Sequence, residues 1–192
     1  MPSLSKGLNP EAFLSWERVQ RDRHHYVRGE VFAMSGGSPR HSHLGARMIA
    51  RLEQGSRQGG RCDVHTSDLR LGLPGDDFVY ADAVVVCRPI ALRTGTTDVV
   101  TNPTVVVEVL SKSTEAYDRG AKQAGYLALP SLRHLVLVSQ REPRVEVYTR
   151  QDGGTFRFSV HGSDDTVALE AVGATFSVRD LYENAFELPG DT

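Results

Sequence analysis

With 192 residues, 40% of them hydrophobic and 24% charged, the chain has the composition of one soluble globular domain, able to bury a core without structural metal. A formal net charge of -2 and a pI near 6.4 exclude a protein that coats nucleic acid by bulk electrostatics. No apolar run approaches the roughly 18 residues of a membrane span, and the first residues lack an apolar core of signal-peptide length, so a cytoplasmic location is expected.

Asn9-Pro10 supplies an N-cap and a first-turn proline for a helix over 10–21, with Phe13, Leu14, Trp16 and Val19 at helical separations. Residues 24–34 read as a hairpin around Arg28-Gly29, and Ser35-Gly36-Gly37 breaks the pattern. Ser38-Pro39 starts a second helix running to about residue 57, with Leu44, Met48, Ile49 and Leu52 as its apolar stripe. From residue 61 the period becomes that of strands, at 62–64, 67–73 and 79–87. Within the last of these, 83–87 is continuously apolar, as in a strand buried on both faces. A loop rich in Thr, Gly and Pro over 88–103 leads to a strand at 104–110. Ser111 to Thr114 ends that strand, and a helix over 115–129 stops at Pro130. Strands at 134–138, 144–150, 156–160 and 166–169 and a short helix near 178–182 follow. This order predicts an α/β (α+β) architecture, a mixed sheet covered by helices.

The chemistry concentrates in two strands and one helix. Asp82 begins the run at 83–87 and Glu108 lies inside the run at 104–110; an acid beside apolar strands is costly unless paired, protonated or bound to metal. Two such carboxylates in one cleft suit Mg2+ or Mn2+ rather than zinc. Asp118, Lys122 and Tyr126 recur every four residues and so share one helix face, next after the Glu108 strand. Of 22 basic residues only Lys6, Lys112 and Lys122 are lysines, and an ammonium, unlike a guanidinium, has a pKa that burial moves. Lys122 is therefore the candidate amine that positions or deprotonates a nucleophile, its plain alternative being a surface pair with Asp118.

Other features are assigned blander roles. The arginines from Arg18 to Arg28 and from Arg40 to Arg61 read as solvated faces. His41 and His43, two residues apart on a helix, share no face, which argues against a zinc site. Cys62 and Cys87 form no CxxC pair and are expected as reduced core residues. No GK[ST] follows the glycines at 36–37 and no GxSxG elbow occurs.

Tyr80-Ala81-Asp82, the run from Asn102 to Glu115, Tyr117-Asp118-Arg119-Gly120, Lys122 and Tyr126 together resemble the Uma2 family of restriction-endonuclease-like proteins. Gly29-Glu30 and segments at 34–42, 66–70 and 143–148 extend the resemblance, which covers about residues 24–182. It implies the PD-(D/E)xK nuclease fold, a restriction-endonuclease-like core of a mixed four-stranded sheet flanked by helices. One domain over 1–192 would comprise a helix and hairpin at 10–34, the nuclease core at 38–140, and strands with a short helix at 143–182. The resemblance further implies a metal-dependent endonuclease acting on DNA, with Mg2+ or Mn2+ held by Asp82, Glu108 and the backbone carbonyl of Val109. Lys122 would be the catalytic amine, and His41, Lys112 and Tyr126 would contact substrate. The usual lysine two residues past the second acid is replaced by Leu110, so Lys112, nearer in sequence to Glu108, rivals Lys122. Ala81 and Lys112 stand where the family commonly has proline, and His24-His25 replaces a common Tyr-Glu. A nuclease-fold module that binds nucleic acid or regulates without cleaving it is the alternative, as is another metal-dependent hydrolase. A homodimer would give a small acidic domain more surface for a duplex.

Overall fold

A computed structural model describes residues 3–34, 36–112 and 115–191, apart from the side chains at 6, 58 and 59. The breaks expected at Ser35 and at Ser113-Thr114 lie outside the described residues. An unanticipated edge strand, β1 (Ser3–Lys6), pairs with β3; its four residues carry no apolar alternation by which to read it. Asn9 caps α1 (Pro10–Glu17), accepting from the Ala12 N–H at 2.8 Å. The helix ends a turn short of residue 21, because the chain tightens into i→i−3 bonds at Val19 and Gln20 and Val19 is exposed instead of packed. The expected hairpin is β2 (His24–Val27) and β3 (Glu30–Ala33). Its two-residue turn has positive φ at both positions, 51° at Arg28 and 81° at Gly29, the twist that antiparallel strands require.

Ser38 caps α2 (Pro39–Gly59), and Gly60, with φ 63°, closes it in the left-handed conformation. Two glycines interrupt α2, each costing about 0.5–1 kcal/mol relative to alanine. Gly55 has a packing reason, since a Cβ there would lie 2.4 Å from Ala174 Cα. Gly45 has none: nothing lies within 4 Å of the position its Cβ would take.

The strands β4 (Cys62–Thr66), β5 (Arg70–Leu73) and β6 (Asp77–Tyr80) are followed by β7 (Ala83–Cys87), β8 (Val99–Val100) and β9 (Pro103–Leu110). The single strand expected over 79–87 is in fact broken at Ala81-Asp82. β6 belongs to a six-stranded sheet ordered β1-β3-β2-β6-β5-β8, whereas β7 belongs to a second one. Apolar residues resume directly after Asp82, and neither glycine nor proline marks the break. At the crossing the Asp82 N–H bonds the Val107 carbonyl at 3.1 Å.

After β9 come α3 (Glu115–Tyr117), a π-helical turn (Asp118–Lys122) and α4 (Gln123–Leu127) in place of one regular helix. Gly120, at φ −102° and ψ −110°, interrupts it. β10 (His134–Ser139), β11 (Val145–Arg150) and β12 (Phe156–His161) complete the second sheet, ordered β12-β11-β10-β9-β7-β4, wider than the implied four strands. It is mixed, with β9 and β10 parallel and its other pairs antiparallel. A small ribbon of β13 (Thr166–Leu169) and β14 (Ala174–Ser177) leads to α5 (Val178–Leu181). Phe176 and Leu181 pack with Leu44, Met48 and Leu52 of α2 on one face of the second sheet.

The cysteines depart from expectation. Cys62 and Cys87 face each other across β4 and β7 and are joined as a disulfide, with Cα atoms 3.9 Å apart, both partly buried. Their pairing depends on a register that only the assembled sheet defines.

Strand parity places the acids. On β9, Val105, Val107 and Val109 face the α2 side, while Val106 and Leu110 face α4. Glu108, between Val106 and Leu110 in the same alternation, therefore faces α4. On β7, Val84 and Val86 face that same side, and one step further along the Ala83↔Val107 register Asp82 comes opposite Glu108.

Candidate active site

Glu108, Lys122, Asp118 and Tyr126 meet in the interior, each 5% exposed or less. Lys122 Nζ lies 2.8 Å from Glu108 Oε1 and 3.4 Å from Asp118 Oδ1. The Tyr126 hydroxyl donates to the same Glu108 oxygen at 2.7 Å. The Asp118–Lys122 pair is thus buried, not on the surface. Arg119, on the same turn, fixes the segment to β11 through two bonds to Glu146, at 2.6 and 3.0 Å.

Asp82 lines the mouth of the same cavity, of about 80 Å3, together with His41, Glu108, Asp118 and Lys122. Asp82 Oδ2 accepts from the Val109 N–H at 2.7 Å and lies 3.4 Å from His41 Nε2. Lys112 is placed elsewhere: its side chain is exposed, it does not line the cavity, and its backbone N–H bonds Asp191 at 3.3 Å. Tyr126 also departs from its expected role as a substrate contact. It is fully buried behind Glu108, so it positions that carboxyl.

The electrostatics follow from burial and crowding. Burial pushes the Glu108 carboxyl up to about 8, a rise that Asp118 and Asp82 reinforce and Lys122 opposes. Burial would lower the Lys122 pKa, but Glu108 and Asp118 outweigh it and keep the ammonium charged. At Asp82, burial is outweighed by His41, Lys122 and the Val109 N–H, which hold the carboxylate ionised. His41 is raised in return, because Asp82 overcomes its desolvation.

Gly37 makes the His41 contact possible. A Cβ at 37 would fall 2.6 Å from His41 Nδ1, so Gly37→Ala should turn the ring away from Asp82. Titration of the ring by NMR should then show its pKa falling toward the free-imidazole value of about 6.5; an unchanged, raised value would refute this account.

Residues 10–179 match the family model described as "Uma2: Putative restriction endonuclease". The chain belongs to the Uma2 family. The match begins at α1, well before the motifs that start near residue 24. This Uma2 chain is 36% identical over 176 residues to an "Uncharacterized protein" of Synechocystis sp., covering 91% of each. A second Synechocystis "Uncharacterized protein" is 28% identical over 151 residues, covering 77% of this chain and 84% of the other. Among solved structures, a crystal structure from Anabaena variabilis, described as "a putative nuclease belonging to DUF820", superposes with a TM-score of 0.76 at 16% identity. That superposition covers 93% of this chain and 99% of the other. The two share the mixed α+β, restriction-endonuclease-like fold.

Further residues line the cavity, among them His25, Tyr80 and Asp191, to which the sequence alone assigns no role. His25 is buried, and its Nδ1 accepts from the Tyr80 N–H at 3.3 Å. Tyr80 is held by Glu17 and Arg70, at 3.0 and 2.9 Å. Asp191 comes from the far end of the described chain. His25 was visible only as a departure from the family's Tyr-Glu, and Asp191 carries no local signal. No described helix is long and apolar enough to cross a membrane.

Proposed function

We propose that this chain is a Mg2+- or Mn2+-dependent nuclease that hydrolyses DNA phosphodiester bonds at the site formed by Asp82, Glu108 and Lys122. The observation that carries this reading is the 2.8 Å contact of a buried ammonium with Glu108, in a cavity that Asp82 also lines. The family description and the fold shared with a protein titled as a nuclease support it.

The donor set fits a hard cation. Asp82 and Glu108 offer carboxylate oxygens, and a strand residue's N–H and C=O face the same neighbour. The Val109 carbonyl therefore lies on the Asp82 edge, where its N–H already points. Among the described residues no three His, Cys, Asp or Glu side chains are grouped to hold an ion. The remaining ligands would be water and substrate phosphate, as is usual for Mg2+. When bound, the cation would neutralise phosphate charge and acidify the attacking water.

The protein's own groups divide the rest. Lys122, held as an ammonium, acts by donating hydrogen bonds and stabilising charge on the phosphate, not by accepting a proton. Tyr126 keeps Glu108 facing the cavity. His41, its pKa raised by Asp82, orders that carboxylate at the cavity mouth and meets the incoming phosphate.

Two measurements test this reading: cleavage of plasmid DNA with and without Mg2+, and calorimetric Mn2+ titration of the wild type against an Asp82→Ala, Glu108→Ala double variant. Equal cation binding by the two proteins would sink the proposal. The second reading, a binding module with little catalysis, draws on the protonated state that burial favours at Glu108, which weakens that ligand near neutrality. Cation binding without cleavage of any DNA would favour it.

A further inference from the structure

We propose that the cavity adjoining the catalytic one is a subsite for an unpaired nucleotide, so that the strand cleaved is single-stranded or frayed on one side of the scissile phosphate. The proposal rests on the phosphodiesterase reading only for where that phosphate sits. The catalytic cavity, of about 80 Å3, adjoins one of about 540 Å3, and both are lined by Met34, Gly36, Gly37, His41 and Asp82. Roughly 300–1,000 Å3 is the range of cavities that enclose small organic ligands, so the larger one has room for a nucleotide that the smaller lacks.

The wall contributed by α2 shows why this space matters. His41, Ser42, Gly45, Ala46 and Ile49 form one stripe on the helix, flanking the stripe of Leu44, Met48 and Leu52 that faces the core. A glycine inside a helix is destabilising unless something needs the room. In the same helix, the backbone at Ala174 needs the room at Gly55, but no protein atom takes up the room at Gly45. That vacancy opens into the groove, which points to a ligand and not to packing.

The chemistry suits a nucleotide. Ser42, Thr66 and Ser67 offer hydroxyls, Ile49 an apolar contact, and Arg21 and Arg23 also line the groove, both exposed, with Asp22 between them. Arg23 is tethered by Asp68. A guanidinium both pairs with phosphate and stacks on a base. Gripping a continuous duplex takes many phosphate-neutralising cations, whereas this chain has 24 acidic residues against 22 basic. Local contacts in the groove must therefore supply much of the affinity, and an unpaired nucleotide can enter a groove of this width where a stacked base pair cannot.

The test is fluorescence anisotropy of a labelled 12-nucleotide single strand and of the blunt duplex of that sequence, with the full-length protein in Ca2+ to hold off cleavage. The single strand should bind at least about tenfold tighter, and Gly45→Phe, filling the groove, should weaken its binding by at least about tenfold. Gly45→Ala should raise the melting temperature, as expected where a methyl meets open space; a fall would overturn the argument from the vacancy. Ser42→Tyr, on the same stripe, serves if Gly45→Phe melts early. Equal binding of the two DNAs, or a folded Gly45→Phe within about twofold of wild type for the single strand, would overturn the subsite. Tight single-strand binding lost in Gly45→Phe, without Mg2+-supported cleavage, would refute the hydrolase reading and leave the subsite standing. Cleavage of both DNAs at one rate, unaffected by Gly45→Phe, would do the reverse.

Discussion

Lys122→Met should slow Mg2+-supported DNA cleavage by about 10²–10³-fold, the usual cost of removing one preorganised donor from a developing charge. Lys112→Ala should change it by less than about threefold, because this lysine stands outside the cavity, at the surface. The two amines compete on sequence, since Lys112 is closer to Glu108 along the chain, but not in space. Removing Lys122 also leaves Glu108 and Asp118 buried without their shared cation. Breaking such a buried pair costs about 3–5 kcal/mol, so the variant should melt well below wild type at pH 8. The gap should narrow as pH falls from 8 toward 6.5, where Glu108 holds its proton and needs no cation beside it. A cleavage defect in Lys112→Ala as deep as in Lys122→Met would overturn this assignment.

Without divalent cation, the protein should lose stability as pH rises from about 6.5 to 8, by about 1–2 kcal/mol from Glu108 alone. Burial raises the folded-state pKa of Glu108 to about 8, against an unfolded value of about 4.3. Throughout that window the folded state holds a proton that the unfolded state has released, so raising the pH favours unfolding. His41, also raised, acts in the same direction, its contribution being present below about 6.5 and lost as pH climbs through its folded value. His25 acts oppositely at lower pH. Burial, then Lys122 and His24, hold its pKa well down, so its contribution is present above about 6.5 and fades on acidification. Asp82, lowered, matters only in the acid range. Mg2+ should reverse the trend by displacing the Glu108 proton, raising the melting temperature more at pH 8 than at pH 6. Thermal melts across this range with and without Mg2+ provide the check, and Glu108→Gln should flatten both profiles. A cation-free stability that climbs from pH 6.5 to 8 would contradict the buried, protonated Glu108.

Local rules carried some parts of this fold and not others. Asn9-Pro10 and Ser38-Pro39 start helices by capping chemistry that acts within one turn, and Arg28-Gly29 supplies the two positive φ values of a hairpin. The i, i+4 spacing of Asp118, Lys122 and Tyr126 put three side chains on one face, and the structure gathers them at Glu108 despite the π-turn between them. What escaped is set by distant partners. The break at Ala81-Asp82 exists because β7 pairs with β9 while β6 pairs with β2 and β5. The Cys62–Cys87 bridge depends on the β4–β7 register, and Tyr126 reads as a substrate contact until the depth of α4 is known.

Glu108 and Lys122 hang on elements of very different security. Glu108 sits mid-sheet between β7 and β10, where amide hydrogens exchange only on near-global opening. Lys122 is supplied by a π-turn interrupted at Gly120, a five-residue element that Arg119 fastens to Glu146. Such a segment opens more readily than a central strand, so the fraction of molecules with an assembled site would be governed by how often 115–127 detaches rather than by global stability. Hydrogen exchange should show those amides trading with solvent well before those of β9, and bound cation or nucleic acid should slow them first.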